Sequence, residues 1–117
     1  MAKKIMIVED DPHTVKYLTD LFVDNGYVTC SALDGTEAME VVEKEKPDLI
    51  TLDLALPEEW GPRFYRKLQE KKELKKIPII VISGLTGSRY AIQKAVASIM
   101  KPFDKDELLK IVKDTIG

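Results

Sequence analysis

The chain holds one cysteine, one histidine and one tryptophan in 117 residues. A single cysteine, Cys30, forms no internal bridge, which excludes a disulfide-stapled scaffold and leaves a reducing cytoplasm as the expected compartment. A chain of this length buries roughly two thirds of the surface its unfolded form exposes, so it needs no disulfide or zinc staple. Long hydrophobic runs are also missing. The apolar stretches stop at four or five residues, too few for a membrane-spanning helix. Met1-Ala2-Lys3-Lys4 passes through a short apolar run straight into acids, which does not read as a signal peptide. Nor is there an excess of charge of one sign: 18 basic residues stand against 20 acidic ones, a formal net of −2. That balance favours neither nucleic acid nor a membrane surface as a partner. With six glycines, six prolines and 44% hydrophobic residues, collagen-like and disordered classes are excluded and one compact domain is expected.

Short apolar runs alternate with amphipathic stretches. Ile5-Met6-Ile7-Val8, Leu49-Ile50-Thr51-Leu52 and Ile79-Ile80-Val81-Ile82 read as strands buried on both faces. Tyr27–Ala32 and the remnant Ile99-Met100 complete a set of five. Between them, helical spacing runs from His13 to Asn25, where Asn25-Gly26 supplies a stop. Thr36 is a candidate cap for a second helix that ends before Pro47. Gly61-Pro62 opens a third, with Phe64, Tyr65 and Leu68 inward. A short fourth helix is expected over roughly Arg89 to Val96. Asp104 with Glu107 reads as a variant capping box for the last, with Leu108, Leu109, Val112 and Ile116 facing the core. The expected fold is α/β: a single doubly wound (βα)5 domain, a parallel sheet with helices on both faces.

Ligands in such sheets bind beyond the carboxyl ends of the strands. There the sequence places Glu9, Asp10 and Asp11 after strand one, Asp53 after strand three, Ser83 after strand four and Lys101 after strand five. Crowded carboxylates raise one another's pKa unless a cation intervenes. Oxygen ligands without histidine or cysteine suit Mg²⁺ or Mn²⁺ rather than zinc. A lysine and a hydroxyl opposite the metal suit the remaining oxygens of a phosphoryl group, and one carboxylate is left to act as nucleophile. The chemistry that fits is phosphoryl transfer to an aspartate.

The segments Val8-Glu9-Asp10-Asp11-Pro12, Leu52-Asp53-Leu54 with Pro57 and Gly61, Ile82-Ser83-Gly84 and Lys101-Pro102-Phe103 together resemble the response regulator receiver domains of two-component signalling. The resemblance runs from Ile5 to Ile116. It implies a flavodoxin-like strand order 2-1-3-4-5, Asp53 as phosphoacceptor, and Asp10 and Asp11 as the acidic pair holding Mg²⁺. Asp53 and the backbone carbonyl of Ala55 would be further ligands, with Ser83 and Lys101 contacting the phosphoryl group. A cis Lys101-Pro102 bond is also implied. The implied phosphoryl donor is a histidine kinase or phosphotransfer protein, and the output is altered binding of a further partner.

Some positions depart from the pattern. Ser98 stands three before the lysine, where an aromatic switch is usual. The 18 residues from Ser83 to Lys101 are fewer than the family norm, and Trp60 precedes Gly61 where a small or acidic residue is usual. With the fourth-helix face altered, a monomer is the expectation. Two competing readings remain beside a phosphorylatable, non-enzymatic receiver. One is a degenerate receiver serving as a phosphorylation-independent docking module. The other is a Mg²⁺-dependent aspartyl phosphohydrolase, against which Ala55 occupies the place of a second acid.

Overall fold

The computed structural model describes residues 2–54, 56, 60–84 and 95–117, with the side chains of Trp60 and Ser83 outside that description. In chain order the elements are β1 (Lys4–Val8), α1 (Pro12–Asp24), β2 (Val28–Ala32), α2 (Gly35–Glu45), β3 (Leu49–Leu52), α3 (Trp60–Gln69), β4 (Ile79–Ser83), β5 (Ala97–Met100) and α4 (Lys105–Ile116). All five strands pair in parallel in the order β2-β1-β3-β4-β5.

Successive side chains of a strand point to opposite faces, and both faces here are apolar. Met6, Val8, Ile50, Leu52, Ile79 and Val81 join one buried cluster with Ala38 and Val42 of α2 and Phe64 and Leu68 of α3. Ile5, Ile7, Leu49, Ile80, Ile82 and Ile99 join the other with Leu18 and Phe22 of α1 and Leu108 and Val112 of α4. That two-sided burial is why the inner strands read as uninterrupted apolar runs. One polar group is caught inside: Thr51 is 2% exposed, and its hydroxyl meets no hydrogen-bond partner among the described residues.

Two local expectations need correction. The cap of α2 is Asp34, not Thr36. The Asp34 carboxylate accepts the Glu37 N–H at 2.8 Å, while Glu37 accepts the Leu33 N–H at 3.1 Å. A carboxylate two residues earlier outcompetes the threonine, which falls inside the helix. In α4, Asp104 accepts the Asp106 N–H rather than sharing a reciprocal box with Glu107. The fourth helix expected over Arg89–Val96 falls almost wholly on residues 85–94, outside the described residues, and its last two, Ala95 and Val96, are not helical. Elsewhere the punctuation holds. Lys46 takes a left-handed conformation (φ 44°) before Pro47, ending α2, and Lys101-Pro102 is cis.

Candidate acidic site at the strand ends

β1 and β3 lie side by side at the centre of the sheet, so the residues that follow them emerge together. The ladder continues one step past each strand: the Glu9 N–H donates to Ala32 O at 3.1 Å and the Asp53 N–H to Val8 O at 3.0 Å. Glu9 and Asp53 are therefore held by backbone bonds, and only 3% and 4% of their surface is exposed. Asp10 projects beside them into solvent. One carboxylate oxygen from each of Glu9, Asp10 and Asp53 lies within 4.8 Å of the others.

Asp11 is placed differently. It is the N-cap of α1, accepting the His13 N–H at 3.0 Å and the Thr14 hydroxyl at 3.0 Å. Those two bonds, led by the His13 N–H, hold its carboxyl below the ordinary range. Of the pair Asp10 and Asp11, the structure thus brings only Asp10 into the cluster, and Glu9 takes the remaining place. The sequence contains the signal for this. An aspartate directly before a proline at the first helical position is a helix-start signature, which assigns Asp11 to α1.

Lys101 reaches in from the end of β5. Its Nζ lies 2.5 Å from Glu9 Oε1 and 3.5 Å from Asp53 Oδ2. Glu9's second oxygen accepts the Asp11 N–H at 3.2 Å. Burial lowers the affinity of Lys101 for its proton, but Glu9 and Asp53 outweigh it and the ammonium is held above its usual pKa. Burial pushes the Glu9 carboxyl up to about 7; the Lys101 hydrogen bond opposes this and the neighbouring Asp53 adds to it. Among the described residues, three carboxylates meet one ammonium, and two of the three carboxylates are buried. An all-oxygen donor set in that state fits a hard divalent cation.

Ser83 ends β4 in register with Met100, so its backbone sits at the same sheet edge, one residue from the Lys101 position. Its side chain and the whole of Ala55 lie outside the described residues. Gly61, in the first turn of α3, lies against the Asp53-Leu54 backbone. A Cβ there would fall 2.7 Å from Leu54 Cα and 3.1 Å from Asp53 O. Ser98, in place of a switch aromatic, is an exposed residue of β5. Beside the cleft, Tyr17 of α1 packs on Phe103, ring centroids 5.8 Å apart.

Residues 5–113 match the family model described as the response regulator receiver domain. The chain is 37% identical over 112 residues to protein Rrf1 of Nitratidesulfovibrio vulgaris, covering 96% of this chain and 81% of that one. It is 32% identical over 121 residues to the polar-differentiation response regulator DivK of Brucella anthropi, covering 100% and 98%. Among solved structures, the receiver domain of a sensor histidine kinase from Pseudomonas aeruginosa, crystallised with a magnesium ion coordinated in its active site cleft, superposes with a TM-score of 0.89 at 27% identity, covering 100% of this chain and 99% of that one. The five-stranded order, the acidic cleft at its carboxyl edge and these matches agree: the chain belongs to the response regulator receiver domain family of two-component systems.

Proposed function

We propose that this receiver accepts a phosphoryl group on Asp53 from a histidine kinase or phosphotransfer protein and signals by a change in partner binding. The observation that carries this reading is the grouping of Glu9, Asp10, Asp53 and Lys101 at one sheet edge, with the Lys101 ammonium between two buried carboxylates. Asp53 is the nucleophile. A bond forms between one of its Oδ atoms and phosphorus while the donor's P–N bond breaks, and the bonding pair leaves on the imidazole nitrogen. Lys101, already within 3.5 Å of Asp53, turns from Glu9 toward the new phosphoryl oxygens and stabilises their charge. Ser83 contributes its hydroxyl to the same oxygens. Asp10 and Asp53, with Glu9 and the Ala55 carbonyl, would hold Mg²⁺ or Mn²⁺, which would neutralise the crowded carboxylates and the incoming phosphoryl charge. Asp11 serves the site indirectly, by fixing the start of α1 and so the loop carrying Asp10.

The test is intact-mass spectrometry after incubation with Mg²⁺ and acetyl phosphate, with Asp53→Ala alongside. The expected result is a gain of one phosphoryl group in the wild type, absent from the variant. No gain from acetyl phosphate or from a kinase donor would leave a folded docking module in place of a phosphoreceiver.

A further inference from the structure

Charge on this chain is unevenly placed. Between residues 63 and 76 there are seven cations, three in α3 and then Lys71, Lys72, Lys75 and Lys76 beyond it, against two acids, Glu70 and Glu73. This is a local net of +5 in a chain of net −2, leaving −7 for the remainder. All seven cations are exposed. Lys71 pairs with Glu43 of α2, and Lys46 at the end of α2 pairs with Glu73 at 3.7 Å. Arg66, Lys67, Lys72, Lys75 and Lys76 have no carboxylate within 4.0 Å among the described residues.

The fold gives these charges little internal use. A helix C-terminus favours cations only over its last turn, which accounts for Arg66 and Lys67 but not for lysines three to seven residues past Gln69. The turn that bears them is fixed: Leu74 N–H and Lys75 N–H both donate to Lys71 O, at 3.1 and 2.9 Å, and Leu74 is buried in the core. Like charges are thus displayed on a held scaffold at a cost in self-repulsion. Because this turn leads into the start of β4, it lies at the sheet edge opposite Asp53. Where it meets α2 there is a cleft of about 360 Å³ lined by Glu43, Lys46, Lys71, Lys72, Glu73 and Leu74.

We propose that this basic end of α3 and its cleft are a docking surface for an acidic segment of a partner protein. Carboxylates of that segment meet Lys72, Lys75 and Lys76, and an apolar side chain enters the cleft against Leu74. Charge complementarity selects the partner class. Glu43 and Glu73 line the cleft beside the lysines, with Glu70 next to them in sequence, and these carboxylates disfavour the evenly spaced phosphates of a nucleic acid. A protein segment can place uncharged or basic residues opposite them. The one described aromatic of this stretch outside the core's fully buried set, Tyr65, packs against the core and offers no stacking platform for bases.

The experiment is fluorescence anisotropy on the full chain with two labelled probes: an acidic helical peptide bearing one leucine, and a single-stranded oligonucleotide of equal charge. The peptide is expected to bind with salt-sensitive affinity. The triple variant Lys72→Gln, Lys75→Gln, Lys76→Gln is expected to weaken it about tenfold or more while melting at the same or a higher temperature. Replacing the peptide's leucine by serine is expected to weaken binding further. Equal binding to wild type and triple variant, tighter binding of the oligonucleotide, or a lower melting temperature of the variant would each overturn the proposal, the last by showing that the lysines serve the fold itself.

Discussion

Lys101 Nζ stands 2.5 Å from Glu9 Oε1 and 3.5 Å from Asp53 Oδ2, so its ammonium is bonded more closely to the glutamate than to the aspartate. Both carboxylates are nearly excluded from solvent. Lys101→Met removes the ammonium that both carboxylates contact. The expected cost at neutral pH is about 2 kcal/mol, below the usual 3–5 for a broken buried pair because the lysine is itself partly exposed. Urea unfolding in EDTA checks it. An unchanged midpoint would mean that solvent already screens the pair.

The same burial sets a pH dependence. Glu9 titrates near 7 in the folded chain against 4.5 for its ordinary value. Between those limits the folded state holds a proton that the unfolded state has released, so metal-free stability is greatest below about pH 4.5, as far as this group goes, and declines as pH rises through about 7. Excess Mg²⁺, by stabilising the ionised carboxylates, is expected to flatten that decline. Unfolding midpoints across the range, with and without Mg²⁺, give the measurement. A midpoint that rises through this window in EDTA would contradict it.

Gly61→Ala puts a methyl group 2.7 Å from Leu54 Cα, a backbone atom that can retreat only by moving the acceptor segment. The expected loss is about 1–3 kcal/mol of stability, together with slower labelling of Asp53 by acetyl phosphate. Normal labelling in a destabilised variant would separate packing from acceptor placement.

Thr51→Val removes a buried hydroxyl that has no hydrogen-bond partner among the described residues and keeps the shape and β-branching. A gain of about 1 kcal/mol is expected, read as a higher denaturant midpoint. A loss would reveal a hydrogen bond for Thr51 that the described residues do not contain.

What could be read from the sequence follows from burial. β1, β3 and β4 are covered on both faces, so Ile5–Val8, Leu49–Leu52 and Ile79–Ile82 stand out as solid apolar runs. The edge strands are covered less: Val28 in β2 and Met100 in β5 are about half exposed, and their signal is correspondingly weak. Asp53 and Lys101 were legible because each directly follows a strand. Choosing among Glu9, Asp10 and Asp11 was harder, since three adjacent acids look alike until one of them is spent on a helix. The Asp11-Pro12 pair contains that information, just as Asp34 rather than Thr36 holds the right offset for α2. In both cases the capping carboxylate is decided by which N–H it can reach, a matter of one residue.

The anions of the cleft and its cation are mounted differently. Glu9 and Asp53 hang from the two central strands through backbone bonds to Ala32 and Val8, whereas Lys101 follows β5, which among the described residues pairs with β4 alone. In mechanical terms the acids form the fixed jaw and the lysine the sprung one. Acids and cation thus reach the cleft from different parts of the sheet, the acids from its centre and the lysine from its outer edge.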